Sequence, residues 1–166
     1  VDIARAALDC DIGFLILQDD SKQRLVGVAQ TGIGYNPEGH FSMALDDTSL
    51  TGYIFRHGES AAVTDVLQDE RAIHDLAESL GVRSVIGAPL HSEAGVSGVL
   101  MAVTTERQKE FNNNDILVIE GLAREAATVV HTMTLNERRR HAEERFRQAD
   151  QLARGTLQSI GDGVIT

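Results

Sequence analysis

Residues 83–103 read RSVIGAPLHSEAGVSGVLMAV, two extended runs joined by a turn at Ser92–Gly95. Successive side chains of a strand point to opposite faces. Here both sets are apolar or small. Val85, Gly87 and Pro89 form one, and Ser84, Ile86, Ala88 and Leu90 the other. A sheet wetted on one side would alternate apolar with polar. This hairpin must instead be covered on both faces, so its sheet lies between two layers. The small residues Gly87, Ala88, Gly98 and Ala102 are expected to leave room on the sheet for something other than large side chains.

The flanking sequence supplies the layers. DIARAALD has helical spacing, with Ile3, Ala6 and Ala7 on one side. DIGFLILQDD is apolar on both sets and reads as a central strand. RLVGVAQT returns beside it as a hairpin partner. GIGYNPEGHF is rich in Gly, Asn and Pro and reads as loop, followed by the short extended piece FSMALDD. SLTGYIFRHGE predicts a helix capped by Asp47 or Thr48, with Leu50, Ile54 and Phe55 as its apolar stripe and Gly58 as its stop. SAAVTDV is a short strand. LQDERAIHDLAESLG carries helical spacing through Ile73, Leu76, Ala77 and Leu80, with Gly81 as its end. From Asp115 to about Leu152 the chain has no Pro and only Gly121. In it Ile116, Ile119, Ala123, Ala126, Val130 and Met133 step at intervals of three and four, a heptad-like seam. Beyond Met133 the sequence turns almost wholly charged, so that part must meet solvent or another chain.

Composition excludes several functions. The net charge of the 166 residues is −10, which gives no general attraction to nucleic-acid phosphates or anionic lipid. No apolar run reaches the roughly 20 residues of a membrane helix. Cys10 is the only cysteine, so no internal disulfide forms. The chain opens on Val1 without a signal-peptide pattern and closes on GDGVIT, which reads as a strand. It is therefore expected to be a cytoplasmic piece of a larger protein, any membrane anchor lying elsewhere in the parent.

The ordered set of SLTGYIFRHGESAAVTDV, LGVRSVIGAPL, GVSGVLMAV and FNNNDILVIEGLAREAATVV resembles the GAF domain, a small sensory module. The resemblance covers residues 1–133. EERFRQADQLARGTLQSIGDGVIT resembles the lead-in and first strand of a PAS domain. Three parts are expected: a GAF-like domain over 1–133, a signalling helix over 134–153, and the beginning of a PAS domain over 154–166. The resemblance implies an α+β fold with three α/β/α layers, profilin-like or PAS-like. Its antiparallel sheet has core order 2-1-5-4-3, and it closes with a long C-terminal helix. First and last helices share one face. Residues 33–80 roof the other over a small-molecule pocket, with the small hairpin residues in its floor.

Candidate chemistry follows. Cys10 lies between Asp9 and Asp11, which disfavours a thiolate. The further motifs of bilin-binding or methionine-sulfoxide-reducing relatives are absent, so a structural cysteine is expected. His40, His57, His74 and His91 lie 17 apart, a spacing that matches no metal site, and neither metal nor haem is expected. The cyclic-nucleotide signature of some relatives falls on Thr104, Thr105, Phe111, Asp115 and Ile116. Only Phe111 and Asp115 fit it, and Asp115 has a structural task at the start of the long helix. Candidate pocket residues are Tyr53, Phe55, Asp65, Arg71, His74, Ser84, Ile86, Ala102 and Thr104. Arg71 or Arg83 could pair with an anionic ligand, and His74 could hydrogen-bond one. No catalytic motif emerges: there is no Gly-x-Ser-x-Gly, no P-loop and no dinucleotide glycine motif after a strand.

The expected function is a non-catalytic sensor of an unidentified small molecule. Its output helix pairs in a homodimer and leads, through a PAS domain, to a bacterial cyclic-di-GMP turnover enzyme or a sensor histidine kinase. The alternative is a ligand-free module that holds a dimer, with Phe41, Phe55 or Met101 filling the space above the small residues.

Overall fold

The computed structural model describes residues 1–32, 42–46 and 48–163. The chain forms α1 (Asp2–Ala7), β1 (Ile12–Gln18), β2 (Arg24–Thr31), β3 (Ser42–Ala44), α2 (Leu50–His57) and β4 (Ala61–Val63). A 3₁₀ turn at Val66–Gln68 leads to α3 (His74–Leu80), β5 (Ser84–Ser92), β6 (Gly95–Thr104) and α4 (Asn113–Gly163). Compact packing divides the chain into one unit over Val1–Thr128 and another over Val129–Thr166.

In the first unit six antiparallel strands form one sheet in the order β3-β2-β1-β6-β5-β4. The strand centres follow the expected core order, and β3 adds an edge beside β2. Directly paired residues share a face, so the register writes out what each side presents. One face carries the row Val63, Val85, Val103, Ile12 and the row Ala61, Gly87, Met101, Phe14, Gln30. The other carries Ile86, Ala102, Gly13 and Thr31, then Ala88, Leu100, Leu15 and Ala29.

Two glycines fix which helices lie where. A Cβ on Gly87 would lie 2.8 Å from Cδ1 of Ile54, so α2 sits on the Gly87 face. A Cβ on Gly13 would lie 2.8 Å from Cγ1 of Val1, so the chain entering α1 sits on the opposite face. We call these the roof face and the reverse face. The roof core joins Ile12, Ile16, Val99 and Met101 to Leu50 and Ile54 of α2 and Ala77 of α3. Ile119, Ala123 and Ala127 of α4 are buried but stand outside that core. They complete the reverse layer, where Ile86, Ala88 and Leu90 are all fully enclosed. The ammonium of Lys109, just before α4, donates to the carbonyl of Leu8, just after α1.

Several local expectations are corrected. α1 buries Ala4, its C-cap Leu8 is buried four residues on, and Ile3 is left 70% exposed, because contact with β1 and β6 selects the other side. The α2 cap is Ser49, whose Oγ accepts from the Gly52 amide at 3.0 Å; Asp47 lies outside the described residues. α3 begins only at His74, because Val66–Gln68 makes its own turn, capped by Asp65. The buried line of α4 runs Ile119, Ala123, Ala127 rather than through Ala126, which with Ile116 is half-buried. Residues four apart lie one above the other on a single helix face, and here that row is the one turned inward.

α4 starts in a reciprocal cap. Asn112 Oδ1 accepts from the Asn114 amide at 2.8 Å and the Asp115 amide at 3.2 Å. Asp115 Oδ2 accepts from the Asn112 amide at 2.9 Å, so three loose donors are satisfied at once.

The second unit is helical through Gly163, including the stretch read from sequence as running into a strand. A strand needs a neighbour to pair with, and the described residues offer none there. Its surface carries four-apart ion pairs, Arg139 with Glu143 at 3.0 Å and Arg154 with Asp150 at 3.0 Å. Met133, Phe146, Leu152 and Leu157 are 62–76% exposed. No helix of the described residues is long and apolar enough to cross a membrane.

Candidate functional site

The roof layer covers a partly open cavity of about 100 Å³. Its floor is Phe14 and Ile16 of β1, Met101 and Val103 of β6, Val85 of β5 and Val63 of β4. Its walls are Met43, Leu50 and Val66, and α3 with the strap before it closes the top through Ile73, Leu76, Ala77 and Leu80. The sheet register explains the floor: these side chains are consecutive members of the roof-face rows. Short α3, only seven residues long, cannot cover them all, and a void remains.

The polar groups at the wall are already engaged. Ser49 Oγ accepts from Gly52 and lies 3.7 Å from the Met43 sulfur. Thr51 Oγ1 donates to the Met101 sulfur at 3.0 Å. The Asp69 carboxylate is held by Arg71 through two bonds, Nε to Oδ1 at 2.9 Å and a second nitrogen to Oδ2 at 2.6 Å. That fork holds the Asp69 carboxyl below its usual range and raises the Arg71 guanidinium. One polar group on this face differs. Gln30, next in its row beyond Phe14, has a buried side-chain amide with no partner among the described residues, and it does not line the cavity.

The nine pocket residues expected from sequence fall into three groups, and none lines the cavity. Tyr53, Arg71 and His74 meet outside it. The Arg71 guanidinium stacks 4.9 Å above the Tyr53 ring, and His74 Nε2 lies 3.0 Å from the Asp69 carbonyl oxygen. They clamp the strap whose Asp69 and Ile73 reach the void. Phe55 packs on the roof core, and Asp65 Oδ1 accepts from Leu67 at 3.2 Å. The remaining four belong elsewhere. Ser84 Oγ donates to the Thr64 carbonyl at 2.5 Å and accepts from the Lys109 amide at 2.7 Å. Thr104 Oγ1 accepts from the Ser84 amide and donates to the Arg107 carbonyl at 2.7 Å. Both brace loops. Ile86 and Ala102 are partners in the reverse-face row. The small hairpin residues are likewise not its floor. Ala88, Gly98 and Ala102 face the reverse layer, and the space above Gly87 is taken by Ile54 and Met101. What the sequence reading missed were plain apolar residues, Val63, Leu76, Val85 and Val103. For the three valines the signal is the strand alternation itself, and for Leu76 the helical spacing of α3, which assign them to the roof side without marking them as lining a void.

Cys10 is buried, and burial pushes its thiol up to about 11. Asp11 clamps the end of β6, accepting from the Thr105 amide at 2.6 Å, and those bonds hold its carboxyl below the usual range. On the reverse side Ser60 Oγ, just before β4, donates to Glu120 Oε1 of α4 at 2.8 Å. The Gly58–Ser60 segment that follows α2 is thereby tied to α4. Beside it an open groove of about 500 Å³ runs past Pro89, His91, Ile116 and Arg124.

Solved structures share this fold. The GAF domain of a phosphoenolpyruvate-protein phosphotransferase from Acinetobacter superposes with a TM-score of 0.67 at 23% identity, over 82% of this chain and 81% of that one. The GAF domain of the corresponding Coxiella burnetii protein gives 0.71 at 19%, over 82% of each chain. A domain of a putative two-component sensor histidine kinase protein from Sinorhizobium meliloti 1021 gives 0.65 at 22%, over 84% of this chain and 91% of that one. At such identities the likeness is one of fold. No curated protein matches significantly. The sequence model of the GAF domain matches residues 1–131, four-fifths of the chain, and on that match the chain belongs to the GAF domain family.

Proposed function

We propose that the chain is a non-catalytic sensory domain whose cavity occupancy sets the position of α4. The observation that carries this reading is a partly open apolar pocket on one side of the sheet and a buried output helix on the other, linked by Ser60 and Glu120. A molecule entering beneath α3 presses on Leu50 of α2 and on the sheet floor. α2 runs directly into Gly58–Ser60, and Ser60 holds Glu120. A shift of a few kcal/mol between two packings is enough for a regulatory switch.

The same helix continues in sequence beyond Thr128, and it is the route by which a change would leave the domain. Exposed Met133, Phe146, Leu152 and Leu157 suit pairing with a second copy, so the proposed unit is a homodimer joined through its terminal helices. The junction LQSIGDGVIT supports a following PAS domain, and with it a bacterial cyclic-di-GMP turnover enzyme or sensor histidine kinase as the parent. The likeness to a domain of a sensor histidine kinase protein fits that reading.

A ligand-free structural module is the second reading. It is favoured by the way Ile54 and Met101 fill the space over Gly87. Melting the chain against panels of nucleotides and small metabolites separates the two, with hydrogen exchange followed at Asn113–Thr128. A sensor gains melting temperature with at least one compound and changes exchange in α4. A structural module does neither.

A further inference from the structure

We infer that the cavity selects a small, uncharged, apolar molecule of about the size of benzene, and not a nucleotide or a carboxylate. The inference deepens the sensory reading and rests on it for its biological meaning. Size comes first. A void of about 100 Å³ is far below the volume of roughly 300 Å³ or more that drug-sized ligands occupy. It is of the order of the engineered cavity, about 150 Å³ and lined by aliphatic and aromatic side chains, that stays dry and takes up benzene or xenon.

The wall chemistry agrees. A charged ligand gives up its hydration on entry and needs partners in exchange. Here the hydroxyls of Ser49 and Thr51 are committed to Gly52 and to the Met43 and Met101 sulfurs. Among the described residues the one ionised group at the wall, Asp69, is spent on Arg71 and would repel an anion. Arg71 is forked onto Asp69 and stacked on Tyr53, so it does not reach in as an anion clamp. Apart from these engaged groups, what the described residues turn to the void is hydrocarbon and thioether. Met43 and Met101 add unbranched, polarizable side chains that adapt to an entering ring, since sulfur against an aromatic edge is favourable. Gln30, the unpaired amide of this face, stands one strand beyond Phe14 and outside the lining, so it does not give the cavity a polar end.

The test uses the whole chain and three probes: benzene, benzamide and cyclic GMP. Near-saturating benzene is expected to raise the melting temperature by about 3 °C or more, with benzamide weaker and cyclic GMP without effect. Ala77→Leu, which fills the void from α3, should lose about tenfold in benzene affinity while keeping its own melting temperature. Val85→Ile, filling from the sheet, guards against a folding defect at Ala77 and should lose affinity in the same direction. No benzene response, a response in both filling variants equal to that of the native chain, or a stronger response to benzamide or cyclic GMP overturns the assignment. Hydrogen exchange at Asn113–Thr128 keeps the two claims apart. Benzene binding that leaves α4 unchanged refutes the sensory reading and spares the ligand class. A polar metabolite that binds and shifts α4 does the reverse.

Discussion

The two faces of the sheet are built from similar residues yet packed differently. On the reverse face Ile86, Ala88, Leu90 and Ala102 are all at 0% exposure beneath α1 and α4, and small residues let backbones approach. On the roof face Leu25, Ile54 and Val99 are equally enclosed, but Met43, Val63, Val82 and Met101 each retain 8%, the covering helices are short, and a void persists. The lesson is mechanical. A close-packed layer transmits displacement, because its atoms have nowhere else to go. A loosely closed layer accepts a guest. A sensor needs one of each.

Substitutions can break this contrast. The largest difference is expected between truncations. Ile119→Ala on α4 removes a fully buried side chain from the tight layer and should cost about 4 kcal/mol in denaturant unfolding. Leu76→Ala, half-buried and already beside a void, should cost about 1.5 kcal/mol. Equal costs would mean that the layers do not differ in packing.

Adding a methyl group tests the same point from the other side. A Cβ on Gly98 would lie 2.4 Å from the Ile16 carbonyl oxygen, a backbone atom that cannot step aside. Gly98→Ala should therefore cost about 3 kcal/mol. A Cβ on Gly87 would meet Cδ1 of Ile54 at 2.8 Å, the far end of a flexible side chain rather than a backbone atom. Gly87→Ala should cost about 1 kcal/mol by the same measurement.

The contrast also marks what could be read from sequence. Two-sided apolar strands announced a sheet covered on both faces, and β5, β6 and β1 are where that reading placed them. Gly58 and Gly81 ended their helices in the left-handed conformation, as expected of C-caps. The site was less legible. Polar and aromatic residues such as Arg71, Tyr53 and Ser84 draw attention because they can bind, yet each is consumed by a neighbour. A void is a property of what several distant segments fail to fill. Val63, Val85 and Val103 carry no mark of it in their own identity. Helix faces suffered similarly, since Ile3 looks like core until α1 meets the sheet through Ala4 and Leu8.

Smaller effects sharpen the picture. Cys10 is held as a thiol, its pKa raised from 9.0 to about 11 chiefly by burial. Its contribution is complete below about 9 and is lost as pH rises through 11, so the unfolding midpoint should fall across that window. Cys10→Ser should remove that part of the pH dependence. Gln30→Leu, which replaces a buried amide without a partner among the described residues by a side chain of similar size, should raise stability by about 1 kcal/mol. A loss of stability instead would show that the amide has a partner.

The central claim is that filling the roof moves the reverse layer. Amide hydrogen exchange across Asn113–Thr128, compared between the native chain and Ala77→Leu, tests it without any ligand. The account predicts a changed exchange rate in that segment, abolished when Ser60→Ala removes the hydroxyl that holds Glu120. Identical exchange in the native and filled chains, with the cavity demonstrably occupied by the new side chain, would contradict it.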